Sequence, residues 1–248
     1  MRRRLVEEPG NLRAAWETRA EALIAWFRTP DHDSYWRFHR DQFLELLPPP
    51  GRLTLDIGCG EGRLSRDLKA HGHSVIALDG SETLVRAAQE ADPEIETVVG
   101  DAARLPWPDG YADLAIAFMS LQDVEDAAGA IREAARVLEP GGRFCMAIVH
   151  PIGSAGHFEG EQPDSPFVIP GTYLGRFRFA DEVERDGLEM TFESEHRPIG
   201  WYFEALREAG LLVEQLRETD HPEHAIREPR NRRWQRVPYF LHVRALRP

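Results

Sequence analysis

Asp56, Glu61 and Asp79 are the side chains whose type and spacing best suit chemistry, because they flank the glycine run Gly58, Gly60 and Gly62. A glycine turn lets backbone approach a ligand closely, and carboxylates beside it favour a ligand that carries positive charge. A pyrophosphate is the opposite case. The dinucleotide fingerprint G-x-G-x-x-G rests its phosphates on a helix N-terminus, whereas these glycines are spaced G-x-G-x-G with Asp56 and Glu61 at the turn. Like charges ~4 to 6 Å apart there cost on the order of 1 to 4 kcal/mol.

The elements that position these groups can be read on either side. Leu53, Leu55 and Ile57 alternate with Thr54 and Asp56, which predicts a strand ending at Gly58, and Leu64 and Leu68 put helical spacing back over residues 63–70. Strand, tight turn and helix start together describe the carboxyl edge of a parallel sheet, where α/β folds bind ligands. S-adenosylmethionine (SAM) matches the turn's chemistry: adenine and ribose, no phosphate, and an ammonium and a sulfonium.

Further motifs follow in order. Ser74 to Leu78 reads as a second strand ending at Asp79; Val98-Val99-Gly100-Asp101-Ala102, then Ala112 to Ser120, and then Val137-Leu138-Glu139-Pro140-Gly141-Gly142-Arg143-Phe144 complete the series. With these the chain resembles the class I SAM-dependent methyltransferases of small molecules, well over residues 50–150 and loosely beyond. The resemblance implies an α/β, Rossmann-like, seven-stranded and mostly parallel sheet with the last strand antiparallel, SAM as cofactor, and a donor set. In that set Asp56, Gly58, Cys59 and Gly60 line the turn, Asp79 accepts both ribose hydroxyls beside Gly80 and Ser81, and Asp101 lies near the adenine amino group. Ala102 sets a backbone amide on the ring, and Met119, Ser120 and Tyr35 complete the set. Cys59 lends a backbone amide on this reading; no His stands beside it to make it a nucleophile.

Composition bounds the rest. The chain has 248 residues with 30 basic and 42 acidic side chains, a net charge of -12, which argues against a nucleic-acid partner. No apolar run reaches membrane-spanning length, and Arg2-Arg3-Arg4 is not followed by a signal-type segment; a cytoplasmic protein without a membrane partner is expected, as monomer or homodimer. Two cysteines, Cys59 and Cys145, make no disulfide framework. Arginine replaces lysine everywhere except at Lys69, which hints at a GC-rich bacterial genome and specialised metabolism.

Four regions are expected. Residues 1–50 form a helical cover, with one helix over 11–29 and a second over 34–47 stopped by Pro48-Pro49-Pro50; Tyr35, Trp36, His39 and Arg40 are its candidates to meet a ligand. Residues 51–150 form the SAM-binding core. Residues 151–196 are an insertion after the fifth strand, Gly- and Pro-rich at first and then alternating at Tyr173 to Phe179 and Leu188 to Ser194, read as the hairpin of an acceptor lid. Residues 197–248 supply a helix ended by Gly210 and two terminal strands. Between Pro151 and Glu195 stand ten acidic residues and three arginines, a mild preference for a neutral or basic small-molecule acceptor.

Methyl transfer to oxygen needs a base, to a neutral amine only alignment, and to carbon an electron-rich π system. His150, at the end of the fifth strand, is the first base candidate, then His196 and Tyr173; Gln122, Asp123, His150, His157 and Tyr173 are candidate acceptor contacts. The loop from Glu218 to Gln235 carries Arg227, Arg230, Arg232 and Arg233, with Arg236 just after it, and Asp220, His221 and His224 match no standard metal spacing, so no metal is expected. Two other classes remain open at this stage: an NAD(P)-dependent oxidoreductase, and a SAM-fold protein that binds without transferring.

Overall fold

The structure is a computed structural model and describes residues 2–6, 10–226 and 228–248; Arg227 lies outside them. In chain order come β1 (Arg2–Leu5), α1 (Leu12–Arg28), a π-helical turn (Tyr35–His39) running into α2 (Arg40–Leu44), β2 (Thr54–Ile57), α3 (Arg63–Ala70) and β3 (Val75–Asp79). Next are α4 (Glu82–Ala91), β4 (Glu96–Val99), β5 (Ala112–Phe118), α5 (Ala127–Val137), β6 (Leu138–Val149), α6 (Pro151–Ala155), β7 (His157–Phe158) and β8 (Phe167–Val168). The chain closes with β9 (Phe177–Arg185), β10 (Leu188–His196), α7 (Ile199–Glu208), β11 (Leu212–Thr219) and β12 (Phe240–Leu246).

Seven strands make the central sheet in the order β11-β12-β6-β5-β2-β3-β4. β2 to β6 run parallel, and β12 is antiparallel to both its neighbours. The expected alternation in β2 is absent from its burial: Thr54, Leu55, Asp56 and Ile57 are all buried. Both faces of a central parallel strand are covered by helices. Here α5 and α7 bring Ile131, Ala134 and Leu206 against Leu55, Ile57 and Phe144, while α2, the turn after it and α3 bring Phe43, Leu46, Leu64 and Leu68 against Leu114, Ile116 and Phe118. The Pro140-Gly141-Gly142 turn stands as a bulge within β6. Ala112 faces Leu138 but Leu114 faces Arg143, and Gly141 takes the φ of +86° that the turn needs.

Three expectations are corrected. The second cover helix starts as a π turn and ends at Leu44 rather than 47. The lid hairpin is β9 and β10, so Tyr173 to Arg176 lie before it; the two-residue turn Asp186-Gly187, with φ of 51° and 79°, is the geometry that matches strand twist. β1 pairs along β9 and makes the hairpin three-stranded, a pairing between residues about 178 apart that no local pattern announces. Arg3 fixes it: its guanidinium meets both Asp181 oxygens at 2.8 and 2.6 Å and the Gly153 and Ser154 carbonyls at 2.8 Å. α1 then packs Leu23 and Trp26 on Met190 and Phe192 of β10, with Arg19 paired to Glu193 at 2.9 Å. No described helix is long and apolar enough to cross a membrane.

Candidate active site

The glycine turn is built from backbone. The amides of Gly58 and Cys59 both donate to the Leu78 carbonyl, at 2.7 and 3.0 Å, tying the end of β2 to β3. Gly58 has φ +77°, and a Cβ there would stand 2.4 Å from the Ser120 Cβ. Gly60, φ +59°, donates its amide to Asp79 Oδ2 at 2.9 Å, while its own Cβ direction opens into space with nothing within 4 Å. Asp79 Oδ1 accepts the Ser81 amide at 2.9 Å. Ser81 caps α4 by accepting the Leu84 amide at 3.1 Å. Along the same edge Asp101 accepts the Ala103 amide at 2.9 Å and is exposed, and Ala102 packs on the core. Met119 sits at φ 55° with its amide on the Ala147 carbonyl at 2.8 Å, and the Ser120 hydroxyl donates to the Ile57 carbonyl at 2.8 Å. The donor candidates from Asp56 to Ser120 therefore share the carboxyl ends of β2 to β5.

Charge is distributed differently from the sequence expectation. Glu61 does not face a ligand beside Asp56: it is 2% exposed, takes Arg66 in a fork at 2.8 and 3.0 Å, and lies 3.4 Å from Arg28. The negative charge at the turn thus comes from Asp56 and Asp79. Asp56 is buried beneath the turn, where the Ser65 hydroxyl donates to it at 2.5 Å; burial pushes its pKa to about 6, with Ser65 and Arg63 opposing. Burial also raises Asp79, against the backbone N–H donors of Ser81, Gly60 and Gly80. The buried Cys59 thiol is raised well above its ordinary value, by burial first and then by Asp79 and Asp56, which keeps it protonated and unsuited to attack.

Of the residues expected to contact an acceptor, Gln122 and Asp123 follow β5. Gln122 donates to the Met119 carbonyl at 2.7 Å and to Asp123 Oδ2 at 3.2 Å, and Asp123 Oδ1 accepts the lid hydroxyl of Ser194 at 2.6 Å. Burial raises Asp123 to about 8, with Ser194 and Gln122 pulling it down. Under the lid, Gln122, Ser154, Glu195 and Arg197 line a cavity of only about 10 Å³, room for about one water. His196 is held on both nitrogens, Nδ1 at 2.6 Å from Ser154 Oγ and Nε2 at 2.9 Å from the Tyr173 carbonyl, and burial lowers its pKa. The Tyr173 hydroxyl accepts the Ile199 amide at 3.1 Å. His150 accepts the Ile152 amide on Nδ1 at 3.1 Å, with Nε2 3.0 Å from Glu218; burial lowers it and Glu218 opposes. His157 is exposed on β7, paired with Val168. Tyr35 is fully buried and donates to Asp67 at 2.5 Å, the carboxylate that also takes the Arg40 fork. His221 is stacked on Phe38 at 4.4 Å within an aromatic cluster.

With this geometry in place, comparison with known proteins is decisive for the core. Residues 55–146 match the model of a methyltransferase domain. A SAM-dependent methyltransferase of Mesorhizobium loti superposes with TM-score 0.71 at 28% identity, covering 88% of this chain and 99% of that one. Residues 55–146 are thus similar to a methyltransferase domain, on a fold shared with SAM-dependent methyltransferases. The ubiquinone/menaquinone biosynthesis C-methyltransferase UbiE of Caulobacter vibrioides is 36% identical over 121 residues, 43% of this chain and 48% of that protein. A probable SAM-dependent methyltransferase of Mycobacterium tuberculosis, Rv3030, is 34% identical over 119 residues, 47% of this chain and 43% of its own length. The chain spans about half the length, or less, of these two relatives.

The methyltransferase domain has SAM as its cofactor, and the residues present fit it. Gly60 leaves open a cradle that a Cβ would fill. The Gly60 and Ser81 amides use two acceptor positions of Asp79, and a carboxylate offers about four, so the side chain retains capacity for ribose hydroxyls. Asp56 and Asp79 together supply negative charge for a cation.

Sequence reading missed Arg13 and Glu17. Arg13 donates to the Gly80 carbonyl at 2.7 Å, and Glu17 accepts Ser81 and Thr83 hydroxyls at 2.5 and 2.7 Å, so α1 is clamped over the Asp79 corner. Their spacing of four on one helix face was the available signal. It also missed Arg63, whose guanidinium lies 3.6 Å from the Phe27 ring centre. A cation in the first turn of α3 opposes the helix dipole, and that conflict was the clue that its charge is met from outside the helix, by Asp33 at 3.4 Å.

Proposed function

We propose that the protein transfers a methyl group from SAM to a small-molecule acceptor. The observation that carries this reading is the Asp79 corner, where one carboxylate is preset by the Gly60 and Ser81 amides at the mouth of an open glycine cradle. Asp79 takes the ribose hydroxyls, residues 58–60 run along the methionine portion, and Asp101 and Ala102 meet the adenine. The donor supplies a methyl group made electrophilic by its sulfonium. The chain's own contribution is to hold this edge rigid, to shut out water through α1 and the lid, and to align the acceptor. His150 and His196 have their nitrogens engaged inside the fold, which favours transfer that needs alignment more than a strong base. The Caulobacter relative is named for carbon methylation in quinone biosynthesis; with about half of it matched, no acceptor is carried over. Bacterial relatives and the arginine-rich composition fit a role in bacterial small-molecule metabolism.

The test is a thermal-shift titration with SAM, S-adenosylhomocysteine (SAH) and NADH, followed by assay of SAH release against a panel of acceptors. Stabilisation by SAM and SAH but not NADH, with SAH formed for at least one acceptor, is expected. Stabilisation by NADH alone contradicts the reading; tight SAM binding with no turnover on any acceptor favours a non-catalytic SAM-fold protein.

A further inference from the structure

By its packing, α1 belongs to the lid. It follows β1, which is itself a strand of the lid sheet. Ala20, Leu23 and Trp26 of α1 are buried in one cluster with Met190 of β10, and the Trp16 and Trp26 rings stand 6.3 and 6.0 Å from that of Phe192. Arg19 and Glu193 add an ion pair at 2.9 Å. Among the described residues, Leu84 of α4 is the one buried member that the core contributes to this cluster.

Toward the core the same helix is held by polar contacts. Arg13 donates to the Gly80 carbonyl at 2.7 Å, Glu17 accepts the Ser81 and Thr83 hydroxyls at 2.5 and 2.7 Å, and Arg28 reaches the Ala87 carbonyl at 3.2 Å. The lid hairpin is attached in the same way, with Ser194 on Asp123 at 2.6 Å and Arg178 on Glu125 at 3.0 Å. Such contacts exchange for water at small net cost, whereas the apolar seam between α1 and the lid resists opening. Arg197 is the exception. Fully buried where β10 re-enters the core, it donates to the carbonyls of Leu121, Val124 and Glu125, and it is the natural pivot.

The boundary between cover and core is also incompletely filled, unlike a close-packed interior. A cavity of about 340 Å³ lies at the end of α1, with Arg28, Trp36 and Ala225 among its walls, and the cavity of about 10 Å³ lies between Phe179 of the lid and Gln122. The α1 contacts fall on the donor edge, since Gly80, Ser81 and Thr83 directly follow or closely succeed Asp79.

Resting on the methyltransferase reading, we infer that β1, α1 and the β9–β10 hairpin form one cover that swings on Arg197, with Glu17 and Ser194 as its two latches. One opening then admits the donor at Asp79 and uncovers Gln122 and Asp123 together. Because both latches bond protein to protein, they set the rate of ligand exchange and leave affinity alone.

The experiment is stopped-flow measurement of SAH association and dissociation, read by the fluorescence of Trp16 and Trp26 in the cover. Glu17→Ala, at an exposed position, should raise both rates roughly tenfold and leave Kd within about twofold. Ser194→Ala should raise both about fivefold, although Ser194 bonds nothing on the donor edge. The double variant should show the product of the two factors, as two latches on one body require. A short bismaleimide bridge between Glu17→Cys and Thr83→Cys should slow both rates more than about tenfold relative to the unbridged double variant; the native thiols Cys59 and Cys145 are buried. Unchanged SAH rates in Ser194→Ala, or a Glu17/Ser194 double variant no faster than Glu17→Ala, would separate the lid from α1 and overturn the single cover. Faster dissociation alone in Glu17→Ala, with weaker affinity, makes Glu17 a donor contact and overturns the latch, as does a bridged protein that exchanges SAH at the unbridged rate. Failure of the unaltered protein to bind SAH is a different result and removes the methyltransferase reading itself.

Discussion

The donor edge and the lid are held in opposite ways. At the donor edge the fixed atoms are backbone, and the partners are near in sequence: Gly58 and Cys59 on Leu78, Gly60 on Asp79. The lid is held by side chains whose partners are remote: Arg3 on Asp181, Arg19 on Glu193, Ser194 on Asp123, and Arg197 on the carbonyls of Leu121, Val124 and Glu125. At an edge made of backbone, a substitution is expected to act on ligand binding more than on stability. In a lid made of side-chain pairs the order is reversed.

The strongest way to break the lid half of this contrast is Arg197→Met. The fully buried guanidinium also pairs with Glu195 at 2.7 Å, and removing one partner of a buried pair costs about 3 to 5 kcal/mol. At about 2 to 4 °C per kcal/mol for a chain of this size, a thermal melt should fall by roughly 10 °C. SAH affinity, measured below that melt, should change less than about threefold. A comparable loss of SAH binding would join the two regions energetically.

Gly60→Ala tests the other half. The φ of +59° costs a non-glycine residue about 1 kcal/mol, so the melt should drop by only a few degrees. The methyl fills the cradle, and SAH affinity should fall more than about tenfold. Unchanged affinity would move the donor away from Gly60. Ser194→Ala is a milder lid change: it removes the donor to Asp123 at 2.6 Å and should cost about 1 kcal/mol in denaturant unfolding with SAH affinity retained.

A further effect is in pH. Asp123 is raised from its ordinary value to about 8, so its folded form holds a proton that the unfolded chain has released. Its contribution is complete below the unfolded pKa near 4 and is lost as pH rises through about 8. The buried histidines have the opposite sign. His221 and His242 are lowered to about 4 and about 3, and they favour the fold as pH rises toward about 6.5. Between about pH 6.5 and 8 the Asp123 slope should therefore emerge as a decline in melting temperature that Asp123→Asn abolishes. Persistence of the decline in that variant would assign it to other groups.

The same contrast explains what the sequence disclosed. The glycine turn, Asp79, the parallel strands and the Pro140-Gly141-Gly142 turn were legible because each is a local pattern tied to a backbone need. Glu61 was misread because its partners Arg66 and Arg28 decide its direction, and only one of them is near in sequence. β1, the π turn at Tyr35 and the tethering of His196 by Ser154 and Tyr173 depend on packing between distant segments, which period and composition do not encode. The cavity at the end of α1 was not legible for the same reason: it is enclosed by residues 27–37 and 224–225, which come together only in the fold.

The most direct test of the account is calorimetric titration of SAH into the unaltered protein and Asp79→Asn, each checked by thermal melt. The donor-edge assignment predicts saturable one-to-one binding by the unaltered protein. In the variant, affinity should fall by roughly 10- to 100-fold while the melt moves only a few degrees. Equal affinity in the two proteins, or NADH binding where SAH fails, would contradict it.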